Sequence, residues 1–269
     1  MKTILIIGST GFIGKELKKK LNSKYNLICP SKKRGFDISN FKKLNLLLNK
    51  NIDILINLSG QVSSKSNLLR TILIGNQNII KSLQNRKKPI VYYISTTLVY
   101  GYSSKLVNEE SPLNPVSNYA KIKLKAEKEY NLSNLNYKIL RLSNVYGNEK
   151  NNFINSTINS IDQSNQLFVN NINSYRNYIY IKDVVEIIKK TIETNLKFKV
   201  YNIGHENMSI KKIINIIEKK IKKKLVYKDK NKEIKSDSSH RLKKCRIFNE
   251  INLYPKYSFN KFLNTYLKK

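Results

Sequence analysis

Cysteine is scarce in this sequence, and it has no long apolar run. The two cysteines, Cys29 and Cys245, are too few for a disulfide framework, and neither lies in a CxxC or Cys/His cluster. The longest apolar stretches, residues 4–7 and 52–58, fall far short of the roughly 18 residues that span a bilayer. Residues 1–3 precede too short an apolar run for a signal peptide. We therefore expect a cytoplasmic protein without a membrane segment or a bound metal.

Acidic side chains are also few. The chain has 18 of them and 51 lysines and arginines, which gives a formal net charge of +33. Such an excess first suggests a nucleic acid or another anionic partner. Proteins that read bases and phosphates favour clustered arginine, whereas this chain has 44 lysines and seven scattered arginines. Lysine, asparagine and isoleucine are abundant together, as is typical of an AT-rich genome. We predict no specific nucleic-acid partner, although an anionic substrate would be attracted.

The 269 residues, 40% of them hydrophobic, suffice for one large α/β unit or two small lobes. In the first half, short apolar runs alternate with helical patterns, which indicates βαβ units and a parallel sheet. After residue 147 the pattern loosens. We predict an α/β fold of the Rossmann type, with a doubly wound parallel sheet in a dinucleotide-binding domain over residues 1–147. Residues 148–269 would form a small C-terminal α/β substrate lobe, with segments that return to the first domain.

The predicted strands cover residues 3–7, 25–29, 52–58, 90–95, 137–142, 166–169 and 178–181. The predicted helices cover residues 12–21, 41–48, 68–83, 118–130, 184–194 and 210–221. The lysine-rich stretch 219–235 is interpreted as a solvated helix end and loop.

A glycine-rich loop joins the first predicted strand to the first predicted helix. Gly8, Gly11 and Gly14 permit a tight turn and a close approach to a pyrophosphate at the helix N-terminus, where free N–H groups favour an anion. The spacing is GxxGxxG rather than the usual GxGxxG. The position between strand and helix therefore carries the prediction of dinucleotide binding.

The end of the second predicted strand bears on the choice of cofactor. The acidic residue that would hold a ribose 2′-hydroxyl is missing there, and Ser31, Lys32 and Arg34 follow the strand instead. A hydroxyl and two cations suit a 2′-phosphate. We favour NADP(H), while NAD(H) stays possible because an ordinary basic loop in so lysine-rich a chain would look the same.

Tyr119 and Lys123 are spaced to lie one turn apart on one face of a predicted helix. Chance predicts about as many Tyr-xxx-Lys pairs as the chain contains, so the spacing alone proves nothing. Of these pairs, only Tyr119–Lys123 follows a predicted strand end that carries hydroxyls, residues 95–101. An open α/β sheet places its site at such strand ends. The pairs begin at Tyr119, Tyr146, Tyr178 and Tyr257.

A series of short motifs extends along nearly the whole chain in a characteristic order. They are GSTGFIG at 8–14, Asp37-Ile38, Leu58-Ser59-Gly60, STTLVYG at 95–101, PVSNYAKIK at 115–123, RLSNVYG at 141–147, RNYIYIKDV at 176–184 and YNIG at 201–204. In these blocks the sequence resembles the extended short-chain dehydrogenase/reductases, the NAD-dependent epimerase/dehydratase family that works on nucleotide-activated sugars.

The resemblance implies roles for particular residues. Tyr119 would be the acid/base, Lys123 its partner and a ligand of the nicotinamide ribose, and Thr96 the hydroxyl that holds the reacting oxygen. The ammonium and a cationic nicotinamide would lower the phenol pKa from ~10 toward working pH. The implied substrate contacts are Thr96, Thr97, Asn144 and Arg176. The predicted cofactor contacts are Gly8, Thr10, Gly11, Phe12, Ile13, Gly14, Ser31, Lys32, Arg34, Asp37, Ile38, Leu58, Ser59, Gly60, Ser95, Tyr119, Lys123 and Ser143.

Each of three assignments has a structural alternative. Thr96 would merely cap backbone at a strand end, Asn144 would be a turn residue, and Arg176 would form a surface ion pair. A late arginine that often binds the nucleotide diphosphate in the family is not evident near residues 228–235.

Departures from the family narrow the predicted reaction. Dehydratases of the family carry Asp-Glu after the threonine, where this chain has Thr97-Leu98, so loss of water is not expected. We favour reduction of a 4-keto group on a nucleotide-linked deoxysugar, with a 4-epimerase on retained NAD as the alternative. A non-catalytic dinucleotide-binding regulator would dispense with the Thr, Tyr and Lys. Helices 68–83 and 118–130 resemble the family's dimer-forming pair, which implies a homodimer.

Overall fold

The computed structural model describes residues 1–60, 65–84, 89–148, 153–163, 166–169, 171–224, 226–229 and 239–267. Its strands are β1 (Thr3–Ile7), β2 (Asn26–Ile28), β3 (Ile54–Asn57), β4 (Ile90–Thr96), β5 (Leu106–Val107), β6 (Tyr137–Leu142), β7 (Asn144–Tyr146), β8 (Gln166–Val169), β9 (Tyr175–Tyr180), β10 (Val200–Ile203), β11 (Glu206–Ser209), β12 (Val226–Asp229) and β13 (Arg241–Leu242).

Its α-helices are α1 (Phe12–Leu21), α2 (Phe41–Leu48), α3 (Lys65–Leu68), α4 (Gly75–Leu83), α5 (Asn118–Asn131), α6 (Phe153–Gln163), α7 (Ile181–Glu193), α8 (Ile210–Ile221), α9 (Ile247–Ile251) and α10 (Phe259–Tyr266). A π-helical segment, Leu69–Ile74, joins α3 to α4. Side-chain oxygens accept free N–H groups at the starts of α2, α5, α8 and α10, which stabilises these ends; the capping residues are Asn40, Ser117, Ser209 and Ser258.

Six parallel strands form the central sheet, in the order β10-β6-β4-β3-β1-β2. From β1 the chain passes to β2 on one side and then to β3 on the other side. This reversal of strand order opens a crevice at the carboxyl ends of β1 and β3. The predicted doubly wound parallel sheet is confirmed.

Helices cover both faces of the central sheet, because alternate side chains of its strands point to opposite sides. Ile4 and Ile6 of β1 belong to a core with α1, α7 and α9. Leu5 and Ile7 belong to a second core with α2, α4 and α5. The helix α5 that carries Tyr119 is therefore held against the sheet on the second face.

The C-terminal part builds small sheets of its own, in the orders β11-β9-β7, β12-β8 and β13-β5. A third core, which includes Tyr146, Ile158, Met208, Ile213 and Phe259, holds it together. Strand β10 returns to the central sheet beside β6. The domain boundary at residue 147 stays a prediction.

Some element predictions need correction. Strand β2 is shorter than residues 25–29, and β9 begins at Tyr175 rather than at residue 178. The helix predicted over residues 68–83 begins at Lys65 and contains the π-helical segment. The interpretation of residues 219–235 as helix end and loop is wrong for β12, which pairs with β8; residues 225 and 230–238 lie outside the described part.

No helix among the described residues combines the length and apolarity that crossing a membrane would need.

Candidate active site

The glycine loop after β1 is packed too closely for side chains. Gly8 has φ +84°, in the left-handed region, and a Cβ there would lie 3.0 Å from the Leu58 carbonyl. A Cβ on Gly14 would lie 2.2 Å from the Gly8 oxygen. The Gly11 N–H donates to the Gly8 oxygen at 3.1 Å, and α1 begins at the next residue. The loop therefore brings backbone to the start of α1, the geometry that a pyrophosphate requires.

A cleft of about 850 Å³ opens at this loop. Residues that follow the ends of β1 and β3 converge on it with residues of β4, α5 and β6, as expected for the carboxyl edge of a parallel sheet. The predicted residues that line it are Gly8, Thr10, Gly11, Phe12, Ile13, Gly14, Leu58, Gly60, Ser95, Thr96, Tyr119, Lys123 and Ser143. The predicted catalytic residues and most predicted cofactor contacts thus share one cleft.

Lys123 is buried at the floor of the cleft, with 3% of its surface exposed. Its Nζ donates to the carbonyl oxygens of Ser59 at 3.1 Å and Ile94 at 2.8 Å. The same atom lies 4.8 Å from the ring centroid of Tyr93. Burial lowers the pKa of Lys123 to about 7, and the charge of Glu127 opposes that shift. Lys123 is therefore held in place and is able to change protonation near neutral pH.

Tyr119 lies one turn before Lys123, with its ring centroid 5.9 Å from Nζ. Burial raises the pKa of Tyr119 to about 12, because the phenolate is poorly solvated. This direction is opposite to the expected lowering. The protein's own groups therefore keep Tyr119 protonated at neutral pH.

The hydroxyls at the end of β4 have defined partners. The Thr96 Oγ1 accepts the Leu98 N–H at 3.2 Å, so the capping alternative describes a contact that exists. Its own hydrogen is still able to donate. The Ser95 Oγ donates to Glu127 Oε1 at 2.5 Å, so this hydroxyl proton is directed at a buried carboxylate although Ser95 lines the cleft. Thr97 is 1% exposed and does not line the cleft.

Asp37 and Ile38 have contacts within the protein. The Asp37 carboxylate accepts the Ser39 N–H and hydroxyl at 2.9 and 2.8 Å and pairs with Arg70 at 3.3 Å. Burial acts to raise its pKa, but the Ser39 hydrogen bonds and the charges of Arg70 and Lys32 outweigh burial, so the pKa is lowered. Ile38 is buried against Gly75 of α4. Neither residue lines the cleft.

The basic loop after β2 is an exposed 3-10 turn over Lys32–Arg34, preceded by Ser31. These residues and Ser59 do not line the cleft. Ser59 instead donates its N–H and hydroxyl to Asn57 Oδ1 at 3.0 and 2.6 Å. The structure therefore separates the part of the cleft that holds Thr96, Tyr119 and Lys123, the candidate reaction end, from an exposed basic turn that does not line the cleft.

The predicted substrate contacts on the C-terminal side also bond to the protein. Asn144 donates its amide to the Asn177 carbonyl at 2.9 Å and so ties β7 to β9. Arg176 donates to the Tyr175 carbonyl at 2.8 Å, and its guanidinium lies 5.4 Å from the Tyr102 ring centroid. Neither side chain lines the cleft, and their contact with substrate stays a prediction.

Several cleft residues escaped the sequence reasoning. Their signal was position, because each of them lies inside a motif of the sequence or within two residues of one. They are Lys15, Glu16, Ile94, Leu142, Val145, Asn148, Tyr180, Ile181 and Lys182.

The residues of the cleft fit a dinucleotide. The glycine loop has no room for side chains, and the N-terminus of α1 adjoins it. The buried Ser143 Oγ has no hydrogen-bond partner within the described ranges, so a polar group of a ligand would satisfy it. No cluster of metal-binding side chains occurs among the described residues.

Comparison with known proteins assigns the family. The model of the NAD dependent epimerase/dehydratase family matches residues 4–204. The chain therefore belongs to that family, and the resemblance inferred from the motifs is confirmed.

The relatives of this chain differ in activity. A dTDP-D-glucose 4,6-dehydratase from Dictyostelium discoideum is 28% identical over 270 residues, which cover 80% of this chain and 62% of that protein. A dTDP-4-dehydro-6-deoxyglucose reductase from Escherichia coli is 28% identical, with 83% of each chain covered. A UDP-glucuronic acid 4-epimerase from Bacillus cereus, solved with UDP-glucuronic acid and NAD, superposes with a TM-score of 0.86 at 22% identity and 99% coverage of both chains. That superposition confirms the fold.

Proposed function

We propose that the protein is an NAD(P)-dependent oxidoreductase that reduces a 4-keto group of a nucleotide-activated deoxysugar. The observation that carries this proposal is the convergence of Thr96, Tyr119 and Lys123 on the cleft that begins at the glycine loop. The relative from Escherichia coli, a reductase named for a dTDP-linked 4-dehydro-6-deoxy sugar, supports this substrate class.

The cofactor would lie along the glycine loop and the start of α1, with Lys123 and Ser143 at its nicotinamide end. When bound, it supplies the hydride for the sugar carbon. The protein's part is to orient the carbonyl and deliver a proton. In its hydrogen bond with the Leu98 N–H, the Thr96 hydroxyl acts only as an acceptor. Its own hydrogen therefore stays available for the carbonyl oxygen of the substrate.

Tyr119 donates the proton to the oxygen of the reduced carbonyl. The pKa of about 12 that burial imposes favours this direction, because the phenol is protonated before the reaction begins. An epimerase must first take a proton from the sugar hydroxyl and therefore needs a phenolate. The Lys123 ammonium, fixed by the Ser59 and Ile94 carbonyls, stabilises the phenolate that remains after reduction.

Loss of water from the sugar is not part of the proposal, although a dehydratase is among the relatives. That reaction needs an additional acid and base near the sugar, and Thr97 and Leu98 occupy the two positions after Thr96. Neither side chain exchanges protons near neutral pH.

The alternative function is a nucleotide-sugar 4-epimerase. The Bacillus cereus 4-epimerase has the same fold, and Tyr, Lys and a hydroxyl suffice for that chemistry. Consumption of the cofactor distinguishes the two. A reductase given a nucleotide-linked 4-keto-6-deoxysugar oxidises one NADPH for each product formed, whereas an epimerase converts a 4-hydroxy sugar without net change in cofactor.

Mass spectrometry of nucleotide-sugar mixtures incubated with the protein and NADPH identifies the substrate. A mass increase of two hydrogens in one component is the result expected. Isomerisation at constant mass would support the epimerase. Cofactor binding without conversion of any sugar would indicate a dinucleotide-binding regulator.

NADP(H) is the favoured cofactor within this proposal. Ser31, Lys32 and Arg34 lie on an exposed turn, and Arg70 offsets the nearby carboxylate of Asp37. A 2′-phosphate would therefore meet a net positive surface.

A homodimer is also proposed, on the helices Lys65–Leu83 and α5. Leu69 and Ile74 leave 47% and 43% of their surface exposed on the first of these helices. A second copy would cover them. Sedimentation of the wild type against a Leu69→Lys variant tests this, with dissociation to a monomer as the expected result.

A further inference from the structure

Glu127 is a buried carboxylate that accepts hydrogen bonds from Arg141 and Ser95. It lies one turn after Lys123 on α5, and its side chain is 2% exposed. It accepts from Arg141 through Nε at 3.1 and 3.2 Å and through Nη2 at 2.6 Å. Arg141 on β6 is likewise buried, with 5% of its side chain exposed. Such a pair is costly to desolvate and weakly stabilising at best, so its presence in the core points to another use.

The Glu127–Arg141 pair contacts the cleft through Ser95, which lines it. Glu127 accepts the hydroxyl of Ser95, the residue before Thr96, at 2.5 Å. On the other side, Arg141 donates to the Tyr100 hydroxyl at 2.8 Å, which in turn donates to Asn202 on β10 at 2.8 Å. The contacts run from the end of β4 through α5 and β6 to the edge of the sheet.

We propose that Glu127 is a positioning residue: its carboxylate, bonded to Arg141, fixes the end of β4 through Ser95, and its negative charge one helical turn after Lys123 favours the Lys123 ammonium. Tyr119, Lys123 and Glu127 follow one another at intervals of four residues on α5, so the acid, the cation and the carboxylate share one helix face; Lys123 and Glu127 are buried, and Tyr119 is half-buried at the cleft. The inference rests on the proposed function, because Lys123 matters for turnover only if Tyr119 exchanges a proton with substrate.

Few charged or titratable groups face Lys123 within the described structure. Helix α5 contributes Tyr119 and Glu127, and β4 contributes Tyr93. Arg141 of β6 and Tyr100 lie beyond Glu127. Glu127 is the carboxylate that opposes the loss of the Lys123 proton, while burial favours that loss.

The test is the pH profile of kcat/KM for Glu127→Gln. Without the carboxylate, Lys123 loses its proton at lower pH, so the alkaline limb of the profile is expected to move down by about one pH unit or more. The matched control is Glu129→Gln on the same helix, where the carboxylate accepts Gln77 Nε2 at 3.1 Å near the surface. Its alkaline limb should stay at the wild-type position. A uniform loss of activity in Glu127→Gln with an unmoved limb would overturn the proposal.

Glu127→Gln leaves the Arg141 charge buried without its partner, which is a strong reason for misfolding. The double variant Glu127→Gln with Arg141→Gln removes both charges of the pair, so no arginine is left buried without its partner. Lys123 still lacks the carboxylate one turn away, so a downward shift of the limb is again expected, smaller than in Glu127→Gln because the repulsion from Arg141 is removed as well. A wild-type limb in the folded double variant would refute the role.

A direct titration separates this inference from the proposed function. In protein with 13C-labelled lysine, the Lys123 resonance, assigned by its loss in Lys123→Met, should titrate at lower pH when Glu127 is replaced. If that shift occurs while no nucleotide sugar is converted, the proposed function fails and the electrostatic link stands. If the titration is unchanged while the enzyme is active, the positioning role fails.

Discussion

The Tyr119–Lys123 and Tyr257–Lys261 pairs have the same spacing in the sequence and very different surroundings in the structure. Lys123 is 3% exposed and donates to two backbone carbonyls. Lys261 is exposed, and its Nζ lies 5.1 Å from the Tyr257 ring centroid, similar to the 5.9 Å of the buried pair. Proximity of phenol and ammonium therefore does not distinguish a candidate acid/base pair. What distinguishes it is the burial of the lysine and the position of the pair beside a glycine loop at a strand end.

The largest expected effect contrasts the two tyrosines. Tyr119→Phe should lower turnover by about two to four orders of magnitude, since a positioned general acid contributes that much. Tyr257→Phe should leave turnover within about twofold of wild type. Steady-state kinetics with NADPH and the identified sugar measure both, and calorimetry of cofactor binding confirms that the site is intact. Near-normal turnover of Tyr119→Phe would remove the assignment.

The second prediction contrasts the two lysines through stability. Lys123 has its pKa lowered from 10.5 to about 7 by burial, so between those values the unfolded chain binds more protons than the folded one. The free energy of unfolding therefore rises with pH across this window. Lys123→Met should remove this pH dependence. Near pH 7 its free energy of unfolding should exceed that of the wild type by a few kcal/mol. Lys261→Met should leave the profile unchanged.

Urea denaturation at pH 6, 7, 8, 9 and 10 measures both lysine variants. The stability advantage of Lys123→Met over wild type should shrink as pH rises toward 10. An advantage that is constant with pH would mean that ionisation of Lys123 does not limit stability.

A third prediction compares the buried reaction end with the exposed basic turn. NADPH should bind at least about tenfold tighter than NADH, because charge-assisted hydrogen bonds to a 2′-phosphate contribute roughly 1.5 to 3 kcal/mol each. Replacing Lys32 and Arg34 together by Ala should abolish most of that preference and leave NADH affinity nearly unchanged. Calorimetric titration of both cofactors gives the four affinities.

The control for the turn removes two charges elsewhere, with Lys211→Ala and Lys212→Ala on the exposed side of α8. It should keep the preference for NADPH. Equal affinities of the wild type for the two cofactors would make the basic turn incidental and would favour the epimerase.

The smallest expected effect concerns the general surface charge. If the lysine excess is compositional, random duplex DNA should bind weakly at physiological salt, with the steep salt dependence of nonspecific phosphate contacts. Fluorescence anisotropy over a salt series measures it. Sequence-selective binding in the nanomolar range would contradict the interpretation of the charge.

The sequence by itself determined the βαβ order, the family and a set of residues that the fold brings together in the cleft. These follow from local signals, because hydrophobic period, glycine spacing and motif order are readable along the chain. The corrections arose where partners are distant in sequence. Strand β12 forms because β8, some 60 residues earlier, offers it an edge.

Tertiary structure alone decided the chemistry available to each side chain. The pKa of Tyr119 rises and that of Lys123 falls because packing of α5 on the sheet buries Lys123 and partly buries Tyr119. Ser95 meets Glu127, and Glu127 meets Arg141, only once β4, α5 and β6 lie side by side. Burial and counter-charge depend on the whole fold, and a four-residue spacing carries no record of either.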